Sequence, residues 1–316
     1  MRTPSSTRAE STPGITMNPL SFCQVKETAI RRINNGMESP DTDLLAAEEP
    51  LEIRIEGHSV AVVMRTPGDD HELAAGFLVT EGLLKNADDV VDIRHEPHCL
   101  SSATADLRPG QGNIINVRLR NPESLDLKKL TRHVFTSSSC GICSKSSIEA
   151  VRQQFPAIED NSHVDPSVLL GLPAAITAMQ ETFKRTGGLH ACTLFDLNGK
   201  LLVLREDVGR HNALDKVVGW ALLQDRLPLR EHIVLLSGRA SFEMMQKALA
   251  AGIPIVAAVS APSSLAAEFA RDSAQTLVGF LRGERMNIYA GFRRVGKLPQ
   301  RHQADSFVPC GANLPV

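Results

Sequence analysis

No stretch of this 316-residue sequence approaches the run of about 18 apolar residues that a membrane-spanning helix requires. The N-terminal region also lacks the apolar core of an export signal. Arg31-Arg32 is followed by the mostly polar Ile33-Asn34-Asn35-Gly36, which argues against twin-arginine export. The expected location is therefore the cytoplasm. An excess of one charge is missing too. With a net charge of -2 and a pI near 6.6, the chain has no general basic field for strong, sequence-independent nucleic-acid binding, so any anion site must be local. Closely spaced cysteines are scarce. Of six, only Cys140 and Cys143 are neighbours, which excludes a disulfide scaffold. Cys23, Cys99, Cys192 and Cys310 stand alone and are expected to be reduced and mostly inert thiols.

What is present is an ordinary globular composition, 42% apolar and 22% charged, enough to bury one large core or two modest ones. Residues 1–20 are rich in Ser, Thr and Pro without apolar periodicity and are expected to form a disordered tail. Residues 21–150 read as an α+β part. Leu51 to Ile55 and Ser59 to Met64 alternate around Glu56-Gly57-His58, a hairpin pattern. Pro67-Gly68-Asp69-Asp70 then offers capping oxygens to a helix of about four turns carrying Leu73, Phe77, Leu78 and Leu84. Ile114 to Leu119 adds a strand. The Ser-rich Thr136 to Ser147 reads as a mobile loop leading into a helix around Ile148 to Phe155. Residues 151–185 make a helical connection, with one helix expected near Pro166 to Lys184.

From 186 to 295 buried strands alternate with helices. Ala191 to Asp196 and Lys200 to Arg205 flank Leu197-Asn198-Gly199, and a helix follows from about Asn212 to Leu223. Ile233 to Leu236 and Ile253 to Val259 each lead through a Ser-containing turn into a helix, the pattern of parallel βαβ units. Thr276 to Leu281 is the last strand, resuming near Ile288-Tyr289. Residues 296–316 form a C-terminal extension.

Four constellations could carry chemistry. Cys140-Gly-Ile-Cys143 is half a zinc site at most, since no second CxxC exists and His133 or His190 would have to complete it from a distance. Two thiols at this spacing lower each other's pKa, so one is partly a nucleophilic thiolate near neutral pH. Such a thiolate can attack a disulfide or accept a sulfur atom from another protein's persulfide, and spacing leaves both open. The second constellation joins Gly187-Gly188-Leu189-His190-Ala191 with Arg205 to Lys216, where strand hands over to helix. Asp207 or Asn212 could simply cap that helix, but capping does not call for Arg205, Arg210 and His211 as well. The third is a pair of turns, Ser237 to Ser241 and Ser260 to Ser264. On parallel neighbours they would aim two helix N-termini at one edge, with Arg239 favouring a phosphate there over plain capping. The fourth is Gly279 to Asn287. Arginines can grip a pyrophosphate there, Phe280 can offer a ring face to a base, and Glu284 can accept from guanine donors, although no Walker lysine motif or GxGxxG accompanies it.

Together Pro67 to Gly82, the CGIC loop, Gly188 to Ala191, Glu206 to Lys216, Ser237 to Gly252 and Thr276 to Tyr289 resemble the FdhD family of formate dehydrogenase accessory sulfurtransferases. The resemblance implies an α/β fold whose C-terminal part is three-layered and cytidine-deaminase-like, with a smaller α+β N-terminal part. It implies a sulfur carrier that accepts a persulfide on Cys140 from an L-cysteine desulfurase, with Cys143 as helper. The sulfur would pass to the molybdenum or tungsten of a bis-(molybdopterin guanine dinucleotide) cofactor before that cofactor enters formate dehydrogenase. The cofactor segment falls on Phe280, Leu281, Arg282, Gly283, Glu284 and Arg285, and a homodimer is expected. No metal site of the protein's own is expected. Deaminase zinc chemistry wants His-x-Glu followed by Pro-Cys-x-x-Cys, whereas here the CxxC precedes His190-Ala191-Cys192.

Overall fold

The computed structural model describes residues 24–96, 112–124 and 155–296. Cys140, Cys143 and nearly all of the helix expected around Ile148 to Phe155 lie outside the described residues. Within them a two-stranded ribbon, β1 (Val25–Asn34) and β2 (Met37–Ala46), turns at Asn35-Gly36, where both residues have positive φ. The four-stranded sheet has the order β4-β3-β6-β5, from β3 (Glu49–Ile55), β4 (His58–Arg65), β5 (Val90–His95) and β6 (Ile114–Leu119). Its pattern is the expected alternation. Leu51, Ile53 and Ile55 are fully buried, while Arg54 faces outward between Glu52 and Glu96.

α1 (Asp70–Thr80) follows β4 and has three turns rather than four. The carboxylates expected to cap it serve elsewhere. Asp69 makes no cap bond and lies 3.5 Å from Arg205, and Asp70 receives two hydrogen bonds from Arg65. The helix expected near Pro166 to Lys184 is two helices, α2 (Pro166–Met179) and α3 (Glu181–Thr186). The break at Gln180 follows from a tertiary contact. The Glu206 carboxylate accepts from the Thr182 and Phe183 N–H groups and so starts a new helix there.

The larger sheet has six strands in the order β12-β11-β10-β9-β7-β8. β9 (His232–Leu236), β10 (Ile255–Ala258) and β11 (Thr276–Arg282) are parallel, as their βαβ pattern requires. β7 (His190–Asp196) runs antiparallel to β9 and makes a hairpin with β8 (Leu201–Asp207), and β12 (Arg285–Ala290) returns along β11. Apolar residues fill both faces. Leu194, Val234, Leu236, Val256 and Leu277 pack towards α4 (Arg210–Leu223), α5 (Phe242–Ala250) and α6 (Ser264–Asp272). Phe195, Ile233, Leu235, Ile255 and Val278 pack towards Leu169, Leu172 and Ile176 of α2. The result is a three-layer arrangement, helices on both faces of one sheet.

α1 ties the smaller sheet to the larger one by lying against α4. At the crossing Gly76 and Gly219 face each other so closely that a Cβ on either would overlap the other helix's backbone. Two buried ion pairs close the same region. Lys216 Nζ lies 2.8 Å from Asp207, both fully buried, and Lys247 Nζ lies 2.9 Å from Asp215.

His232, at the start of β9, titrates below its ordinary range. Burial lowers it first, the Arg226 charge adds to this, and Asp196 and Glu231 partly oppose it. Because its folded pKa lies below the unfolded value of about 6.5, its contribution to stability is complete above that pH and lost as pH falls through the folded value. His232→Gln is therefore expected to flatten the fall in urea-unfolding free energy on acidification below about pH 6.5. An unchanged slope would remove His232 from that dependence.

Candidate functional site

Parallel strands leave their carboxyl ends at one edge, and the connections there make a crevice. In this molecule a cavity of about 580 Å³ opens at the end of β9 and β10, within the range of about 300–1,000 Å³ typical of small-molecule and cofactor sites. Its lining joins segments far apart in sequence: Gly187 to His190, Ser237-Gly238, Val259, and Leu281 to Gly283, with Ile176, Gln180 and Phe183 from the α2–α3 break. Three of the four sequence constellations thus contribute to one cavity.

The register explains the meeting. β7 enters the sheet beside the end of β9, so Ser237 Oγ accepts from the Ala191 N–H at 2.8 Å, and the Ser237 N–H donates to the Ala191 carbonyl at 3.0 Å. His190 Nδ1 then sits 3.2 Å from the position a Gly238 Cβ would take. Burial lowers the His190 pKa first, followed by the charges of Arg210, His211 and Arg239, with Asp207 opposing. The half-buried ring is therefore held neutral at neutral pH. Glu206 behaves in the opposite sense. Burial raises its carboxyl pKa while hydrogen bonds from the Phe183 and Thr182 N–H groups pull it back.

The β11–β12 hairpin forms one wall. A register shift between Gly279 and Arg282 bulges the strand, and Phe280 adopts a left-handed backbone with φ 53°. That conformation costs a non-glycine residue about 1–2 kcal/mol and is characteristic of functional segments. Here it is held by the Phe280 N–H donating to the Ser260 carbonyl at 3.0 Å. The bulge turns Leu281 into the core, fully buried, and leaves Phe280 39% exposed. Arg282 Nε donates to the Val259 carbonyl at 2.8 Å, which fixes the guanidinium at the cavity mouth.

Of the six residues expected in the cofactor segment, Leu281, Arg282 and Gly283 line the cavity, while Phe280, Glu284 and Arg285 are exposed on the same hairpin outside its lining. Other expectations are corrected. Arg205 is committed to Glu72 of α1 through two hydrogen bonds, at 2.5 and 2.7 Å. Asp207 and Asn212 do not cap α4 from their side chains in the ordinary way. They form a buried network in which Asp207 accepts from Thr66, Gly209 and Asn212, and Asn212 donates to the Met64 carbonyl. The two serine turns also part company. Ser263 caps α6 by accepting from Ala266, whereas Ser241 makes no side-chain cap on α5. Cys192 is fully buried, and burial pushes its thiol far above the ordinary range, as an inert cysteine requires. His190 stood in the second expected constellation, but Gln180 was not among the expected site residues. The Gly188-Leu189-His190-Ala191 motif pointed to the histidine, whereas nothing local marks Gln180.

A three-layer α/β protein with a ligand-sized cavity beyond the ends of its parallel strands is the class that fold and site define. The chain belongs to the FdhD/NarQ family, whose sequence model matches residues 46–296. It is 52% identical over 267 residues to the sulfur carrier protein FdhD of Streptomyces avermitilis, spanning 84% of this chain and 93% of that protein. To the sulfur carrier protein FdhD of Mycobacterium tuberculosis it is 47% identical over 283 residues, spanning 85% and 98%. Among solved structures it resembles one described as a formate dehydrogenase accessory protein from Desulfotalea psychrophila. The TM-score is 0.66 at 26% identity, and the match covers 86% of this chain and 99% of that one.

Proposed function

We propose that this protein is a sulfur carrier that takes a persulfide onto Cys140 from an L-cysteine desulfurase. It then delivers the sulfur to the molybdenum or tungsten of a bis-(molybdopterin guanine dinucleotide) cofactor bound for formate dehydrogenase. The observation that carries the reading is the edge cavity walled by Leu281, Arg282 and Gly283, in a chain about half identical to sulfur carrier proteins across most of its length. In sulfur transfer the Cys140 thiolate attacks the terminal sulfur of the donor's persulfide, and the donor leaves as its own thiolate. Cys143 would be the resolving thiol. The cofactor is the substrate. Phe280 would stack on a guanine and Arg282 would hold phosphate oxygens at the mouth. The same reading expects a homodimer in the cytoplasm.

The test is to incubate the protein with a cysteine desulfurase and L-cysteine, then locate added sulfur by mass spectrometry under non-reducing conditions. One sulfur atom on Cys140 is expected, and none on either Cys140 or Cys143 would end the carrier reading. If Cys140→Ala still supports active formate dehydrogenase, the protein holds the cofactor without carrying sulfur.

Phe280→Gly separates ring from backbone. Glycine relieves the left-handed strain but frees the unfolded chain, two effects of about 1 kcal/mol that oppose each other. Melting temperature should change little while affinity for GDP falls. A variant that binds GDP as well as the parent would show that the ring does not stack on the base.

A further inference from the structure

The β1–β2 ribbon has no core of its own. From Arg31 to Asp43 every residue is exposed, Ile33 by 69% and Met37 by 74%, and among the described residues β1 and β2 pair only with each other. A two-stranded ribbon alone in water is marginal at best and gains stability from a third strand or a packed face.

Its two outer edges differ. The ribbon turns at Asn35-Gly36, with Asn34 opposite Met37. In a hairpin with a two-residue loop the flanking pair exchanges the closing hydrogen bonds, and bonded pairs then alternate with unbonded ones. The backbone groups of Asn34 and every second residue back to Lys26 therefore face β2, whereas those of Val25, Glu27, Ala29, Arg31 and Ile33 face outward. Pro40 lies opposite Arg31, so the N–H it lacks belongs to the outer edge of β2. Glu38, Asp41 and Asp43 make that strand acidic as well. Proline and charge are the devices that keep an edge strand unpaired. The β1 edge holds no proline and offers a complete row of donors and acceptors.

β1 is also complementary to itself. Run antiparallel to its own copy with Ala29 opposite Ala29, it sets Glu27 opposite Arg31 and Val25 opposite Ile33, all in pairs that exchange hydrogen bonds. Arg31 is free to share its charge, since it is 81% exposed in its surface pair with Glu38. On the other face Lys26 meets Arg32, whose charge Asp41 already answers at 2.6 Å. Other registers are poorer. Centring on Glu27 or Arg31 sets like charges against each other, and centring on Thr28 or Ile30 leaves Glu27 opposite an apolar side chain.

We propose that β1 pairs with β1 of a second copy of this chain about a two-fold axis at Ala29, giving a four-stranded antiparallel sheet in the order β2-β1-β1-β2. The contact uses the same surface of both copies and closes at two. The acidic, proline-bearing β2 strands then form both outer edges and stop the sheet from growing. This deepens the homodimer reading above and rests on it for the presence of a pair.

The test is sedimentation velocity of the full-length protein over a dilution series. The parent should run as a dimer. Ala29→Pro removes the central N–H donor of each copy at an outward-facing position like that of Pro40, and should weaken the dimer about tenfold or more. Arg31→Glu should weaken it too. The Glu27→Arg, Arg31→Glu double variant should regain part of that loss, which a defect in ribbon folding would not do. A parent that stays monomeric overturns the self-pairing together with the homodimer and leaves the edge to a strand of another protein. A dimer that Ala29→Pro and Arg31→Glu leave as tight as the parent keeps the homodimer and overturns β1 as its interface. A double variant no tighter than Arg31→Glu overturns the register at Ala29.

Discussion

Replacing Gly219 with alanine should lower the unfolding free energy by about 3–5 kcal/mol, at the upper end for an added methyl group. On α4 the new Cβ would overlap the Glu72 carbonyl of α1 and crowd the Gly76 amide. No side chain can swing aside, because the obstacle is backbone. The helices would have to separate, and with them the contacts between α1, α4 and α5 that carry much of the first core. Gly76→Ala should act alike, since its Cβ would overlap the Asp215 carbonyl. Asp215 also holds Lys247 and Thr80, so a shift there disturbs a buried ion pair too. Urea unfolding measures the loss. A change under about 1 kcal/mol would mean that the helices slide apart without penalty. Because both changes relieve or impose the same separation, the double variant should fall short of the sum of the two singles.

The features that follow chain-local chemistry were legible in the sequence. β9, β10 and β11 announce themselves as short apolar runs, because strands buried on both faces need no alternation. The β3–β4 hairpin was legible from alternation and its turn. The β1–β2 ribbon was not. From Arg31 to Asp43 it is exposed throughout, so no apolar period marks it, and Asn35-Gly36 was its only local signal. The break at Gln180 is equally silent, having no glycine or proline, since Glu206 causes it from another element. The site was legible in pieces. Gly187 to His190, Ser237-Gly238 and Arg282-Gly283 each stood out by composition, but their meeting depends on β7 pairing with β9 across the sheet. Neither that pairing nor the commitment of Arg205 to Glu72 can be read from spacing.

Lys216→Met should destabilise the protein by about 3–5 kcal/mol, because it leaves Asp207 buried without its cation. Removing both charges should be milder. In Asp207→Asn, Lys216→Met no net charge is buried, and an amide oxygen at the Oδ1 position still accepts from Gly209 and Asn212, at the cost of the Thr66 N–H losing its acceptor. The double variant should therefore be more stable than Lys216→Met alone, which urea midpoints would show. A double variant no better than the single would mean that packing of the lysine stem, rather than charge, sets the loss. The pair also fixes the start of α4. Lys216 donates to the Thr66 and Glu206 carbonyls, and Asp207 receives the Gly209 N–H immediately before Arg210. The same buried charges that lock the β4–α1 connection onto α4 thus set where α4 begins.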